Sequence, residues 1–319
     1  MKRGVLLVLA IVGVLFFAVV VTAAVAMVRR DSQIRALRAH YRAQIIPLYH
    51  GAYSPAGYPV GPLETNIRPP TVTLSENGLP VVKYPVVGYR TNPVTIEQYG
   101  LWAYGEYVRT HSPKMRATVL LASDWLVANQ RDGRWWYAFD FNHDGWSLKA
   151  PWSSAMAQGQ AMSLLERAFR LTGKRSYLRT AIRAVKPVET SVAKGGLERC
   201  FFGNCGLPFY EEYPSDPPSY VLNGFMFTLV GLYDLASVAP GSSAGADFEH
   251  GMKTLRTILP RYDYGGIPSY ALSQVTIKGQ AVDPAPAYHP VVVYLLNALN
   301  SVRPSPILRT YAKRWAATI

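Results

Sequence analysis

The chain has 319 residues, of which 49% are hydrophobic and 17% charged, and this composition excludes a disordered or fibrous protein. Its net charge of +13 indicates an anionic partner such as nucleic acid, anionic lipid or an acidic polysaccharide. Because no long Lys/Arg run, zinc-finger spacing or RNA-binding aromatic motif is present, we predict no nucleic-acid partner.

The N-terminal end of the chain is a long apolar stretch. Residues 4–28 contain no charge and no proline, and a helix of that length would cross a hydrocarbon core of roughly 30 Å. We therefore predict an uncleaved membrane anchor over residues 1–30, with the catalytic part outside the cytoplasm. A cleaved signal peptide is the alternative, because Ala24-Val25-Ala26 resembles a cleavage site.

The next two segments differ in composition. Residues 31–70 are rich in Pro, Gly and Tyr, which predicts an extended stalk and lead-in. In residues 71–90, two β-prone runs flank Asn77-Gly78, and Asn-Gly is the strongest short hairpin signal. We therefore predict a short β-hairpin ahead of the main domain.

Residues 91–319 have the pattern of a mainly α domain. Asn92 followed by Pro93 predicts a helix start. Apolar spacing predicts helices near residues 92–108, 114–130, 153–172, 176–185, 219–236, 248–262, 290–302 and 307–317. Helical hairpins joined by short Gly- or Pro-bearing turns can curve into a partial α/α toroid, although a plain bundle would show the same spacing.

The most unusual stretch is residues 210–235, YEEYPSDPPSYVLNGFMFTLVGLYDL. Glu211 and Glu212 lie between two tyrosines, and three prolines stiffen the loop that follows. A Glu beside Tyr hydroxyls can accept and donate protons. The alternative is a plain lead-in to a helix, with Ser219 as its cap and both acids solvated.

Three shorter motifs also carry residues with candidate chemistry. Tyr288-His289-Pro290 is a second candidate site, although a His before a helix is commonly a packing or capping residue. The two cysteines, in CFFGNC, leave a disulfide and two free thiols as open alternatives. Residues 140–145 copy the start of a calcium loop, but Pro151 stands where the bidentate Glu belongs. We predict no metal and no cofactor.

Several colinear stretches resemble the C-terminal catalytic region of the D-glucuronyl C5-epimerases, which act on heparan-type polysaccharides. The similar segments are NPVTIEQYGLW at residues 92–102, PWSSAMAQGQAMSLLERAFRLTG at 151–173, the 210–235 stretch, LPRYD at 259–263, Tyr288-His289, and KRW at 313–315. The likeness spans about residues 90–319. It implies a partial α/α toroid with a sugar-binding cleft.

The resemblance also implies roles for particular residues. Matching the family's motifs position by position assigns acid/base roles to Glu212, Tyr213 and Tyr288. We also predict substrate contacts from nearby residues, Tyr210, Asn223, Tyr270 and His289. Two positions depart from the family pattern, with Ser273 in the place of an Arg and Val292 in the place of a His. These departures affect which sugar chain the cleft would accept.

The expected reaction is proton exchange at C5 of a uronic acid, where the hydrogen lies α to a carboxylate. One group removes the proton and another returns it from the opposite face, with no redox cofactor. A Tyr base would need nearby positive charge to lower its pKa from about 10. The alternatives are a polyuronate lyase, which shares the proton abstraction, and a non-catalytic polyanion-binding envelope protein. The expected partners are a uronate-containing polysaccharide and the membrane, and a homodimer is compatible with the sequence.

Overall fold

The computed structural model describes residues 25, 52–60, 72–143, 145–284 and 288–318. The chain divides into two units, Met1–Ile45 with Thr318–Ile319 and Ile46–Ala317, and the elements between Val82 and Ala316 all belong to the second. No helix within the described residues is long and apolar enough to span a bilayer. The predicted anchor, apart from Val25, and most of the predicted stalk lie outside the described residues.

The described part of the chain is mainly helical, as predicted. Its α-helices are α1 (Pro93–Thr110), α2 (Pro113–Asn129), α3 (Ala155–Thr172), α4 (Arg175–Arg183), α5 (Val185–Glu189), α6 (Leu222–Ala236), α7 (Ala244–Ile258), α8 (Ser273–Thr276), α9 (His289–Val302) and α10 (Pro306–Ala316). Short 3₁₀ turns lie at Val192–Lys194 and Leu259–Tyr262.

The helix starts follow local capping chemistry. The Asn92 side chain accepts a hydrogen bond from the Thr95 backbone N–H, and Pro93 occupies the first turn of α1. Ser154 caps α3 in the same way, and α3 ends at Gly173 in the left-handed conformation that favours glycine. These caps explain why most helix boundaries lie within a few residues of the prediction.

Within the described residues, the strands form four separate antiparallel pairs. They are β1 (Val82–Tyr84) with β2 (Gly88–Arg90), β3 (Phe141–His143) with β4 (Trp146–Leu148), β5 (Glu198–Phe201) with β6 (Asn204–Tyr210), and β7 (Asp263–Tyr264) with β8 (Ile267–Pro268). The Asn77-Gly78 turn closes only an isolated bridge between Leu74 and Pro80. The antiparallel ladder of this segment is β1–β2, which turns over residues 85–87 and not at the predicted Asn77-Gly78 turn.

The β5–β6 hairpin is the main element that the sequence did not predict. It lies between α5 and α6, where the sequence suggested a loop, and Cys200 and Cys205 form a disulfide across it. Of the two alternatives for the cysteines, the structure therefore has the disulfide. A cross-link at the tip holds together a hairpin that is too short to be stable alone.

Helix α3 lies at the centre of the fold, packed against α1, α2, α4 and α6. Gly159 and Gly231 let the backbones of α3 and α6 touch, because a Cβ on either would collide with the other helix. On the other side of α3, Leu164 fills the space that Gly100 leaves open on α1. This close packing brings the starts of the helices together.

A buried ion pair fastens the segment before residue 60 to this core. Arg167 of α3 donates to Asp234 of α6 at 2.7 Å, and Tyr53 and Ser163 donate to the same carboxylate. All four side chains are buried or nearly so. Since the charges satisfy each other and the hydroxyls fill the remaining positions, the network can be buried without an unpaired charge.

Candidate functional site

A cleft of about 180 Å³ lies where several helices begin. Its lining combines helix starts (Asn92, Val94, Thr95, Ser154, Met156, Asn223, Tyr288), strand β1 (Val82, Tyr84), an aromatic wall (Tyr137, Phe141, Trp152) and the motif residues Glu212 and Tyr213. The helices involved are α1, α3, α6 and α9. Helix N-termini carry unsatisfied backbone N–H groups and the positive end of the helix dipole, so the cleft favours an anionic ligand.

Glu211 anchors the loop that carries the motif. It is fully buried; its carboxylate accepts from Arg199 Nε at 3.1 Å, from Ser219 Oγ at 2.8 Å and from the Tyr220 N–H at 3.1 Å. Burial raises the pKa of Glu211 to about 7, against the opposing effects of Ser219 and Arg199. The alternative of solvated acids in a plain helix lead-in is therefore wrong.

Glu212 lies next in the chain but lines the cleft. It is 6% exposed and reaches its position over Gly224, where an added Cβ would collide with the Glu212 carboxylate. The glycine of VLNGF thus makes room for the second glutamate of EEYP. Sequence reasoning missed this dependence of one motif on the other.

Three tyrosines adjoin Glu212. The Tyr213 ring stacks on Phe141 with centroids 5.4 Å apart, and its hydroxyl shares a hydrogen bond with Tyr270. The rings of Tyr270 and Tyr288 lie 5.0 Å apart. Glu212, Tyr213 and Tyr288, which come from two separate segments, therefore line one cleft, with Tyr270 packed behind them.

The electrostatics of this cluster differ from the expectation for a Tyr base. Burial raises the pKa of Tyr213 well above its usual value, and the nearby Glu212 carboxylate and the Tyr270 and Tyr288 phenols raise it further. Burial and Glu212 likewise raise the pKa of Tyr270. The expected lowering of a Tyr pKa by positive charge is thus wrong for Tyr213 and Tyr270, and both phenols are protonated at neutral pH.

The four residues predicted as substrate contacts divide into two groups. Asn223 is 1% exposed and lines the cleft, and among the described residues its side-chain amide has no hydrogen-bond partner. Tyr270 is not part of the cleft lining, but it is hydrogen-bonded to the hydroxyl of Tyr213, which is. An amide without a partner in a cleft wall is a group that a ligand can satisfy.

Tyr210 and His289 lie in the core instead of the cleft wall. The Tyr210 hydroxyl donates to the Asp247 carbonyl at 2.8 Å, and its ring packs against Phe225. His289 Nε2 bonds the Trp315 carbonyl at 2.9 Å, and burial lowers the pKa of His289 to about 4. Their predicted role as substrate contacts is therefore corrected to packing.

The lining also contains residues that sequence reasoning did not single out. Asn92 was predicted only as a helix start, and Ser154, Tyr137 and Trp152 were given no individual role. The Tyr137 and Trp152 rings stack with centroids 3.9 Å apart, and the Trp152 indole N–H donates to the Phe139 carbonyl. The available signal was the capping residue itself, because caps of neighbouring parallel helices gather at one end.

The calcium-like segment shows no metal geometry in its described part. Asp140 pairs with Lys149 at 2.7 Å and accepts from the Ala150 N–H. Over the described residues, no group of three or more His, Cys, Asp or Glu side chains could hold a metal ion. Asp144 lies outside the described residues.

Comparison with known proteins identifies a family and several relatives, among them the following two. Residues 128–317 match the family model described as D-glucuronyl C5-epimerase C-terminus. A D-glucuronyl C5-epimerase of Caenorhabditis elegans is 38% identical over 210 residues, which are 61% of this chain and 33% of that protein. An uncharacterised protein of Methanocaldococcus jannaschii is 32% identical over 132 residues, 41% of this chain and 42% of its own. The chain thus matches less than half the length of either relative.

Among the solved structures that match are two, one of them unsaturated glucuronyl hydrolase from Bacillus sp. GL1, that each cover 70% of this chain and 61% of their own. Their sequence identity is 16% and their TM-score 0.49, a likeness too low to assign the fold. The family match has a different weight, because it covers more than half of the chain and includes Glu212, Tyr213 and Tyr288. This chain belongs to the D-glucuronyl C5-epimerase family, within the family's C-terminal region.

Proposed function

We propose that this chain is an isomerase that epimerises uronic acid residues of an acidic polysaccharide at C5, converting D-glucuronate to L-iduronate. The observation that carries the proposal is the cleft in which Glu212 and Tyr213 of one loop meet Tyr288 of another. Family membership supports uronate epimerisation in general. The proton-transfer step given below to each of these residues is part of the proposal.

The reaction requires the site to stabilise negative charge that develops on the substrate. Removing the C5 proton builds an enolate-like centre on a group that is already a carboxylate, so the site must supply donors or positive potential. The starts of α1, α3, α6 and α9 supply that potential here, and the amide of Asn223 adds a donor. The helix N-termini therefore supply the positive potential that the sequence had suggested would come from basic side chains.

The proton steps follow from the pKa directions. Because the raised pKa keeps Tyr213 protonated, its hydroxyl acts as a hydrogen-bond donor to the developing enolate and not as the base. Glu212, beside it, accepts the C5 proton. Tyr288, which reaches the cleft from the start of α9, returns a proton to the opposite face. This division uses both chain segments, as inversion at one carbon requires.

We also propose the finer architecture and location as predicted from the sequence. The helices whose starts meet at the cleft would form the inner ring of a partial α/α toroid, with the cleft at its open end. The Cys200–Cys205 disulfide supports a location outside the cytoplasm, where disulfides persist. The anchor would hold the enzyme at the cell membrane beside its polymer.

The test is incubation with a glucuronate-containing polysaccharide in deuterated water. Epimerisation predicts deuterium at C5 and the appearance of iduronate. A lyase would give instead an absorbing C4–C5 double bond, and a binding protein would retain the polymer without exchanging C5. Tyr210→Phe is the matched control for the cleft variants, because it removes a hydroxyl from the same motif outside the cleft.

A further inference from the structure

The tip of the β5–β6 hairpin holds an aromatic residue in an unusual conformation. Phe202 has φ 46° and the following Gly203 φ 82°, so both residues of the two-residue loop lie in the left-handed region. Such loops favour Asn, Asp or Gly at the first position, because a Cβ and a bulky side chain are strained there. Yet Phe202 occupies this position and is 44% exposed.

The surroundings hold this ring in place. The Cys200–Cys205 disulfide closes the hairpin, and the Phe202 N–H donates to the Tyr220 hydroxyl at 3.0 Å. The ring of Phe202 also packs against Tyr220, with centroids 5.0 Å apart. The hairpin therefore keeps an exposed Phe where an Asn would be less strained. Strain that the surroundings maintain at an exposed position indicates a functional reason for the side chain.

The guanidinium group of Arg261 lies beside Phe202 on the same surface. The guanidinium of Arg261 lies over the Phe202 ring at 5.5 Å and over Phe201 at 5.9 Å. Arg261 is exposed and makes no ion pair with any residue in the described part of the chain. The adjoining pocket of about 430 Å³ has no acidic residue in its lining, which is Arg199, Cys200, Phe202, Gly203, Pro218, Tyr220 and Thr276.

We propose that Phe202 and Arg261 form a second contact site for the acidic polysaccharide, separate from the cleft. The ring would stack on the apolar face of a sugar, and the guanidinium would pair with its carboxylate or sulfate group. Pro218 and Tyr220 belong to the same loop that carries Glu212 and Tyr213 into the cleft. A polymer held here would stay attached while one of its uronates reacts, so this inference rests on the proposed function.

The test is equilibrium binding of an unsulfated polymer of alternating glucuronate and N-acetylglucosamine to the full chain at low salt. Phe202→Asn relieves the backbone strain while removing the ring, so its melting temperature should equal or exceed that of the wild type. We expect about tenfold weaker binding for Phe202→Asn and for Arg261→Ala, in line with loss of one stacking or charge contact. The matched control is Tyr89→Asn, an exposed aromatic with Lys83 over its ring at 5.9 Å.

The outcomes separate the two proposals. Unchanged binding by Phe202→Asn, an equal loss with Tyr89→Asn, or equal wild-type affinity for an uncharged glucan would overturn the second site. If the wild type incorporates deuterium at C5 in any of these cases, the proposed function stands without the second site. If the wild type neither binds the polymer nor exchanges C5, both proposals fail.

Discussion

Glu211 and Glu212 are adjacent in the chain and identical in chemistry, but the fold gives them opposite surroundings. Glu211 is surrounded by donors from Arg199, Ser219 and Tyr220, and it holds the loop in shape. Glu212 lines the cleft, in the space that Gly224 leaves open. The role of each carboxylate therefore depends on what surrounds it, since the first glutamate positions the loop and the second is placed to react.

Neutralising each glutamate separately should separate these two roles. Glu212→Gln should lower turnover by about 10²–10⁴-fold, the usual contribution of an acid/base group, with little change in melting temperature. Glu211→Gln should instead lower the free energy of unfolding by about 1–3 kcal/mol, because an amide nitrogen replaces one of the two oxygens that accept from Arg199, Ser219 and the Tyr220 N–H. Steady-state kinetics and thermal unfolding of both variants make the test, and equal kinetic losses would contradict the division of roles.

Tyr210 and Tyr213 of the same motif form a second pair whose roles can be separated by substitution. Tyr213→Phe removes the hydroxyl that is bonded to Tyr270 and should cost about 10²–10³-fold in turnover, as loss of an oxyanion donor does. Tyr210→Phe removes a hydroxyl bonded to the Asp247 carbonyl and should cost about 1 kcal/mol of stability with near-normal turnover. A Tyr210→Phe enzyme as slow as Tyr213→Phe would place Tyr210 in the reaction after all.

Gly224 tests whether Glu212 depends on the space beneath it. A Cβ from Gly224→Ala would displace the Glu212 carboxylate, and a misplacement of about 1 Å can cost on the order of 10²-fold in rate. Gly245→Ala serves as the control, because a Cβ there meets only an ordinary contact with Ala236. Near-normal turnover of Gly224→Ala would show that Glu212 tolerates displacement, and the proposed geometry would be wrong.

The weakest predicted effect is on the pH dependence of stability. Burial raises the pKa of Glu211 to about 7 from its ordinary 4.5, so the folded state binds this proton more tightly than the unfolded state. Its stabilising contribution is complete below about pH 4.5 and is lost as the pH rises through about 7. Thermal unfolding between about pH 5 and 8 should show this slope, and Glu211→Gln should reduce it. An unchanged slope in the variant would assign it to Glu166 and Asp247, whose pKa values burial also raises, to about 7 and about 6.

The parts of the fold that could be predicted are those governed by local chemistry. Asn92-Pro93, Ser112 and Gly173 mark helix ends through hydrogen bonds or backbone conformations within a few residues, so the sequence indicates them directly. The β5–β6 hairpin was missed because its pairing depends on a turn with Phe202 in a position where Asn or Gly is the usual signal. The disulfide could not be decided from sequence because two cysteines five residues apart are compatible with either state.

The candidate site likewise has a part that the sequence predicted and a part that depends on tertiary packing. The motif identified Glu212, Tyr213, Tyr288 and Asn223, which the structure brings to one cleft. It assigned the acid/base roles to Glu212 and Tyr213, but it could not show why Glu211 and Tyr210 lie away from the cleft, because their surroundings come from Arg199 on β5 and from α7. Nor could it supply the source of positive potential, since the sequence indicates where helices begin but not which helix starts meet after packing.

The proposed mechanism requires that Glu212, and not its neighbour, exchanges the C5 proton of a uronate in the cleft. The decisive measurement is deuterium incorporation at C5 of a glucuronate polymer, by mass spectrometry, for the wild type, Glu212→Gln and Glu211→Gln under identical conditions. We predict incorporation by the wild type and by folded Glu211→Gln, and none above background by Glu212→Gln. Incorporation by Glu212→Gln at the wild-type rate, or none by a wild type that binds the polymer, would show the mechanism to be wrong.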